Sequence, residues 1–302
     1  MSGLPEPFQA VVDRFVTWAE AQQDIRAAQL QGSWARGQGD PQWSDLDIEF
    51  FTTRPLSYRR STAWINQIAP LWMAAPDDDG TLIRRWDARL AAYWVWFTTL
   101  DGGIAVDFVI SAQRVLVWRD LTRRFRRRSP VNHDTILLDK DGRLARVGGV
   151  PWRESSQPAL PDAERFEWVV FQFWGAADRA VRKLGRGDLY EAKTITDNEL
   201  KKHLFMVIEW HAAARGVQVP YRRRYPETWA DPRAAAALSQ IYAHYDPADV
   251  ARALRATCDL FGWLAPETAA RLTLAFPTEQ VAHIDAWITS ALARIDVASD
   301  EG

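Results

Sequence analysis

The chain is poor in cysteine and lacks long apolar runs. Cys258 is the only cysteine among 302 residues, so no internal disulfide can form, and the sequence fits a reducing compartment. No apolar segment reaches the ~18 residues that a membrane-spanning helix needs. The N-terminal residues also lack the basic region and apolar stretch of a secretory signal. We therefore expect a cytoplasmic protein without a membrane span.

A surplus of either charge is also missing. The sequence has 37 basic and 39 acidic residues, for a formal net charge of −2. Proteins that bind nucleic acid or anionic membranes usually show a basic excess on one face. The dense basic stretches, Thr122–Arg128 and Arg222–Arg224, are interpreted as solvated helix ends. Nucleic acid and membranes are therefore not expected as partners.

Tryptophan, in contrast, is abundant, with 16 copies in a composition that is 47% hydrophobic and 25% charged. Most of these side chains are expected in a core, although exposed indoles stack on sugars, bases and cations. The length fits one large domain or two smaller ones. The composition indicates a globular protein with a sizeable core.

The first half of the sequence alternates helical and β-type patterns. Asp-Gly at 101–102 between two β-rich runs predicts a hairpin. The predicted elements are a helix at 8–22, strands at 25–31 and 46–52, a helix at 58–69, strands at 81–90, 91–100 and 104–110, and a shorter strand pair at 134–139 and 143–147.

The second half of the sequence has a linker-like stretch followed by helical patterns. Residues 148–161 carry prolines, glycines and serines without periodicity, as linkers do. Beyond them, apolar residues recur at helical spacing in several long segments, one of which ends at Gly216. We predict an α+β fold with a mixed twisted sheet flanked by helices, followed by an all-helical bundle. The predicted boundaries are a catalytic domain at 1–148, a linker at 149–162 and a helical substrate-binding domain at 163–302.

Two acidic residues, Asp45 and Asp47, open an otherwise apolar strand. Residues i and i+2 of a strand share a face, so these carboxylates would repel each other unless a cation lies between them. Asp107 interrupts the apolar strand after the hairpin, and a neighbouring strand would bring it to the pair. Taken alone, the pair could be a solvated strand edge or a helix N-cap. Three carboxylates together can hold two divalent ions for displacement at phosphorus.

Gly32 and Ser33 follow the first predicted strand. Glycine lets the backbone approach an anion closely, and successive amides with a serine hydroxyl can bind phosphate oxygens. A phosphate-binding turn followed by a carboxylate pair and a third Asp is typical of nucleotidyl transfer.

These residues resemble the polymerase-beta-like nucleotidyltransferase superfamily: Gly32-Ser33, then Asp-Leu-Asp at 45–47, then Asp107 on a later strand. Within it, "WSDLDIEFF", "DGGIAVDFVI" and "KKHLFMVIEWH" are similar to the aminoglycoside 6-adenylyltransferase (streptomycin adenylyltransferase) family. The resemblance spans nearly the full length and is thinner after Arg222. Members often carry Arg directly after Gly-Ser, whereas Trp34 stands there in this chain and the nearest arginine is Arg36.

The resemblance implies that AMP is transferred from Mg-ATP to a hydroxyl of a small molecule and that pyrophosphate is released. The acceptor that it implies is streptomycin or another aminoglycoside. It implies Mg²⁺, as two ions, on the three aspartates, with Asp107 nearest the attacking oxygen. Gly32, Ser33 and Arg36 are the candidate nucleotide contacts in the first domain, together with Lys183 on the first long helix of the second.

Other readings stay open at this point. Lys183 could belong to a solvated cationic helix face instead. Asp178 and Glu191 are candidates for the general base or for binding a cationic acceptor. The same chemistry could act on a protein or RNA acceptor, as in toxin–antitoxin nucleotidyltransferases. The chain could also be a non-catalytic nucleotide-binding module, although a pure binder has no need of the full carboxylate set.

Overall fold

The computed structural model describes residues 4–76, 93–122, 135–147, 158–220 and 223–300. The chain divides into two compact units, Met1–Trp152 and Arg153–Gly302, and each is described by itself. The first unit contains a mixed sheet with helices, and the second is helical. The predicted α+β class is thereby confirmed, while the predicted functions of the two domains and the limits of the linker stay predictions.

The first unit contains both strands and helices. Its elements are α1 (Glu6–Ala21), β1 (Ile25–Gln31), α2 (Gly32–Ala35), β2 (Leu46–Thr52), α3 (Pro55–Arg59), a 3-10 turn (Ile65–Gln67), β3 (Leu71–Pro76), β4 (Tyr93–Leu100), a 3-10 turn (Asp101–Gly103), β5 (Ile104–Ala112), α4 (Gln113–Thr122), β6 (Ile136–Asp139) and α5 (Arg143–Val147).

The six described strands form one sheet in the order β3-β4-β5-β2-β1-β6. β2 and β5 run parallel, and the other neighbouring pairs run antiparallel. The predicted hairpin between β4 and β5 is confirmed. Its turn places Gly102 at φ +81°, a left-handed conformation that glycine adopts without strain. Because β2 pairs with β5, residues distant in sequence lie side by side at the centre of the sheet.

The two faces of the sheet are covered unequally. α1 packs against one face, where Phe15, Phe50 and Phe108 are fully buried. Trp18 stacks on Trp64 in the same core, with ring centroids 5.1 Å apart. On the other face, α4 and α5 contribute to a small apolar cluster, made of Ala27, Phe51, Leu116 and Leu144. That cluster lies towards the C-terminal end of β2, so it leaves the N-terminal end of the strand to other groups.

A lysine near the end of this unit caps the first helix. Nζ of Lys140 donates hydrogen bonds to the carbonyl oxygens of Ala19 (3.0 Å), Glu20 (3.0 Å) and Gln22 (2.6 Å). A helix leaves its last carbonyls without intrahelical partners, and a cation there also complements the helix dipole. Burial lowers the pKa of Lys140.

Two sequence predictions in this unit are wrong. The helix predicted at 58–69 is interrupted, because the carbonyl oxygen of Tyr58 accepts hydrogen bonds from the indole N–H groups of Trp64 (3.2 Å) and Trp96 (3.0 Å). The strand predicted at 143–147 is helix α5. Asp139 accepts hydrogen bonds there from the backbone N–H groups of Arg143 (3.1 Å) and Ala145 (2.9 Å), which starts a helix.

Some predictions lie outside the described residues. They are the strand at 81–90, most of the basic stretch Thr122–Arg128, and residues 148–157 of the region interpreted as a linker.

The second unit is built from helices. Its elements are α6 (Ala163–Leu184), α7 (Leu189–Thr194), a π-helical turn (Ile195–Glu199), α8 (Leu200–Ala214), α9 (Pro226–Trp229), α10 (Pro232–Ala237), α11 (Pro247–Leu272) and α12 (Thr278–Asp300).

The core of the helical unit lies between α6, α8 and α11. Phe173 of α6 stacks on Phe261 of α11 with ring centroids 3.6 Å apart. The predicted end of α8 at Gly216 is confirmed: this residue has φ +76°, and its backbone N–H donates to the carbonyl of Ala213 (2.9 Å). Within the described part of the chain, no helix combines the length and apolar character needed to cross a bilayer.

Candidate active site

The turn after β1 brings backbone and carboxylate into contact. Gly32 has φ +67°, and a Cβ built on it would lie 1.6 Å from Oδ2 of Asp47. Glycine is required here twice over, for the left-handed backbone and for the space that the carboxylate fills. The adjacent Ser33 has a buried hydroxyl with no hydrogen-bond partner among the described residues. The turn therefore lies against the carboxylate of Asp47, and the hydroxyl of Ser33 is available to a ligand.

Three carboxylates converge beside this turn. Asp47 of β2 is the register partner of Asp107 on the parallel strand β5, so both side chains point to the same face. Asp45 directly precedes β2 and is exposed, while the other two are partly buried. One carboxylate oxygen of each residue lies within 4.8 Å of the others. The three aspartates that the sequence singled out are therefore assembled at one point on the sheet.

Such a group of anions suits a divalent cation. Carboxylates this close repel one another, and a cation between them removes the repulsion. Hard ions such as Mg²⁺ take carboxylate oxygens as ligands and fill the rest of their coordination shell with water or substrate phosphates. The donor set fits this ion in chemistry, because all three groups offer oxygen and the exposed Asp45 leaves one side open.

A buried polar cluster lies deeper along the same strand face. Glu49, two residues after Asp47, accepts hydrogen bonds from the side-chain amides of Gln29 (2.8 Å) and Gln31, and from the hydroxyl of Ser111 (2.6 Å). Burial raises the pKa of Glu49. The bonds join β1, β2 and β5, and thus tie together the three strands that carry the site. Sequence reasoning missed Glu49, although its i+2 spacing from Asp47 was a usable signal.

Trp34 follows the turn, at the position where the resemblance led us to expect arginine. Its indole packs against Gly39, where an added Cβ would lie 2.1 Å from the ring, and its centroid is 5.3 Å from that of Phe8. The side chain is therefore an internal packing element of the loop. Arg36 is exposed, and its Nε donates to Oε1 of Gln38 (3.3 Å).

The candidate residues of the helical unit already have partners there. Nζ of Lys183 donates to Oδ2 of Asp188 at 3.0 Å. Asp178 accepts from Nε of Arg182 at 2.9 Å and from Nε1 of Trp287 at 2.8 Å. A ligand of either residue would compete with these bonds, so their roles stay predictions.

Glu191 lies in the first turn of α7, where its backbone N–H donates to Oδ1 of Asp188 at 3.4 Å. Its proposed contact with an acceptor also stays a prediction. His203 and His211 of α8 are both buried within the helical unit, and Oε1 of Glu267 lies 3.3 Å from Nε2 of His211. Their burial within the helical unit is typical of ordinary helix residues.

Comparison with known proteins identifies the family. The sequence model of the streptomycin adenylyltransferase family matches residues 7–291, nearly the whole chain. The chain belongs to the streptomycin adenylyltransferase family. This membership confirms the resemblance in the motifs and places the protein among the nucleotidyltransferases. None of the curated proteins matched the sequence.

Solved structures similar to this streptomycin adenylyltransferase family member share little sequence with it. An aminoglycoside 6-adenyltransferase from Bacillus subtilis is 17% identical, over 94% of this chain and 97% of its own, with a TM-score of 0.41. A nucleotidyltransferase-like protein from Exiguobacterium sibiricum is 13% identical, over 87% of this chain and 77% of its own, with a TM-score of 0.32.

Proposed function

We propose that the protein transfers AMP from Mg-ATP to a hydroxyl group of an aminoglycoside, such as streptomycin, and releases pyrophosphate. The observation that carries the proposal is the convergence of Asp45, Asp47 and Asp107 within 4.8 Å, next to a glycine turn. Membership of the streptomycin adenylyltransferase family supports the acceptor class.

The proposed reaction is an in-line displacement at the α-phosphorus. A bond forms between the acceptor oxygen and the α-phosphorus, the bond to the bridging oxygen of the β-phosphate breaks, and the hydroxyl proton is released to solvent. Bound Mg²⁺ would neutralise the triphosphate and favour the hydroxyl as a nucleophile. Asp45, Asp47 and Asp107 would hold the metal, with Asp107 nearest the attacking oxygen.

The other groups would bind and orient the substrates. The backbone at Gly32 and the hydroxyl of Ser33 would bind phosphate oxygens, since that hydroxyl is buried without a partner among the described residues. Arg36 and Lys183 would add positive charge along the nucleotide. Asp178 and Glu191 would bind cationic groups of the acceptor. The protein would act on small molecules in the cytoplasm.

Pyrophosphate release tests the proposal directly. Purified protein is incubated with ATP and Mg²⁺ and a panel of aminoglycosides, and the acceptor is analysed by mass spectrometry for addition of AMP. Release that requires both Mg²⁺ and one panel member supports the proposal. Labelled ATP that instead marks a protein or RNA in a lysate would favour the macromolecular acceptor. ATP binding without transfer to any acceptor would favour the non-catalytic module.

A further inference from the structure

A row of register partners crosses five strands on the carboxylate face of the sheet. The pairs are Gln31 with Asp47, Asp47 with Asp107, Asp107 with Phe97, and Phe97 with Ala75. Directly opposed residues in a sheet point to the same face, with Cβ atoms about 5 Å apart. Phe97 of β4 is therefore the neighbour of the metal-site carboxylate Asp107 on the side away from β1.

This part of the face presents apolar surface to solvent. Phe97 is 43% exposed, and Met73 of β3 is 63% exposed. Met73 pairs with Thr99, which is two residues from Phe97 and so shares its face. A single exposed apolar residue needs no explanation, but two on one face beside three converging carboxylates form a defined patch. We call Phe97, Met73 and Thr99 the β4 platform.

The order of groups along the row assigns a direction to the reaction. Gly32 and Ser33 follow β1, so phosphates bound by this turn lie on the β1 side of Asp47. In an in-line displacement the incoming oxygen and the leaving pyrophosphate stand on opposite sides of the α-phosphorus. With pyrophosphate towards β1, the incoming hydroxyl group approaches from the Asp107 side. The β4 platform is the surface that lies beyond Asp107 in that direction.

We propose that Phe97 contacts the acceptor, and that a cation-bearing sugar or cyclitol ring of the acceptor packs on the β4 platform. The inference rests on the proposed function and names the part of the site that selects the acceptor. An aromatic face attracts guanidinium and ammonium groups as well as the C–H face of a saccharide. Phe97 does not touch the nucleotide in this arrangement, so it governs acceptor binding alone.

Substituting the ring while keeping apolar bulk tests this assignment. Steady-state transfer is measured for wild type, Phe97→Leu and Phe97→Tyr, varying streptomycin and ATP separately. We expect Phe97→Leu to raise KM for streptomycin about tenfold, because one cation–π contact is lost. The kcat of this variant should stay within about twofold of the wild-type value. KM for ATP should not change. Phe97→Tyr keeps the ring and should restore the wild-type KM for streptomycin.

A control variant separates a local effect from a general one. Tyr245 is 64% exposed and lies in the helical unit, so Tyr245→Leu removes an exposed ring elsewhere and should leave both KM values unchanged. Thermal denaturation verifies that each variant is folded. An unchanged streptomycin KM in Phe97→Leu and Phe97→Ala, with wild-type transfer intact, overturns the inference and leaves the proposed function standing. Absence of transfer by wild type itself overturns the proposed function and this acceptor contact with it.

Discussion

The carboxylate of Asp47 occupies the space that a side chain on residue 32 would fill. Oδ2 of Asp47 is 1.6 Å from the position of a Cβ on Gly32, whose φ is +67°. The turn at Gly32 and the carboxylate group are therefore coupled sterically, and neither can move towards the other.

Replacing Gly32 by alanine is expected to abolish nucleotidyl transfer, because the new methyl group displaces the Asp47 carboxylate. Gly37→Ala is the matched control: Gly37 has φ +69° but no atom within 4 Å of an added Cβ. Both variants should lose about 1 kcal/mol of stability from the left-handed backbone, and Gly32→Ala more. Pyrophosphate release and urea denaturation report the two effects separately. Full activity in Gly32→Ala would contradict the coupling.

Removing one charge from the carboxylate group should separate stability from metal binding. In Asp107→Asn we expect transfer to fall about a thousandfold or more, because metal catalysis contributes several kcal/mol. Without metal, the variant should be at least as stable as wild type, since the repulsion among three anions is reduced. Adding Mg²⁺ should raise the melting temperature of wild type and not of Asp107→Asn. Asp101→Asn, in the hairpin turn, is the control and should respond as wild type does.

The buried cluster around Glu49 is expected to contribute to stability. Glu49→Leu removes three hydrogen bonds, in which Glu49 accepts from the side-chain amides of Gln29 and Gln31 and from the hydroxyl of Ser111. Each lost hydrogen bond costs about 1 kcal/mol, so the free energy of unfolding should fall by about 3 kcal/mol. Ser111→Ala removes one bond only and should cost about 1 kcal/mol. Urea denaturation measures both losses, and equal losses for the two variants would contradict the expected contribution of the bonds from Gln29 and Gln31.

Stability should depend on pH through Lys201. This residue of α8 is 4% exposed, its Nζ donates to the carbonyl of Thr196 (2.8 Å) and to the hydroxyl of Thr257 (2.9 Å), and burial lowers its pKa to about 8. Between pH 8 and about 10.4, the unfolded chain holds a proton that the folded chain has lost. The free energy of unfolding should therefore rise with pH in this window, by at most about 1.4 kcal/mol per unit.

Lys201→Met removes this titration, so the difference between the two denaturation profiles isolates it. The comparison is necessary because burial raises the pKa of Cys258 to about 12. A thiol that stays protonated in the folded state lowers stability as pH rises above about 8.5, opposite in sign to Lys201. Parallel profiles for wild type and Lys201→Met from pH 7.5 to 9.5 would contradict the assignment.

The central strands and the carboxylate group were predictable from sequence for a physical reason. β2 and β5 are apolar runs interrupted by acids, and a strand alternates its side chains with a period of two. Asp45, Asp47 and Asp107 therefore stood out against their surroundings. Gly32 stood out in the same way, because a glycine that ends a buried strand signals an unusual backbone or a close approach.

Features that depend on register could not be predicted. Phe97 is one of several aromatic residues in β4, and only its pairing with Asp107 distinguishes it. The helix predicted at 58–69 is interrupted because the indole N–H of Trp96, which is distant in sequence, donates a hydrogen bond to the carbonyl of Tyr58. The segment predicted as a strand at 143–147 is a helix because Asp139 accepts hydrogen bonds from the backbone N–H groups of Arg143 and Ala145. Contacts between distant residues decided each of these outcomes.

The capping of α1 by Lys140 has a consequence for biosynthesis. Ribosomes synthesise the N-terminus first. The last carbonyls of α1 can therefore bind Nζ of Lys140 only after about 120 further residues have been added. β1 likewise cannot pair along its outer edge until β6 has been synthesised. During that interval a nascent chain presents an open strand edge, the kind of surface that pairs with other chains. Truncated forms ending before β6 should therefore depend on chaperones far more than the full-length protein does.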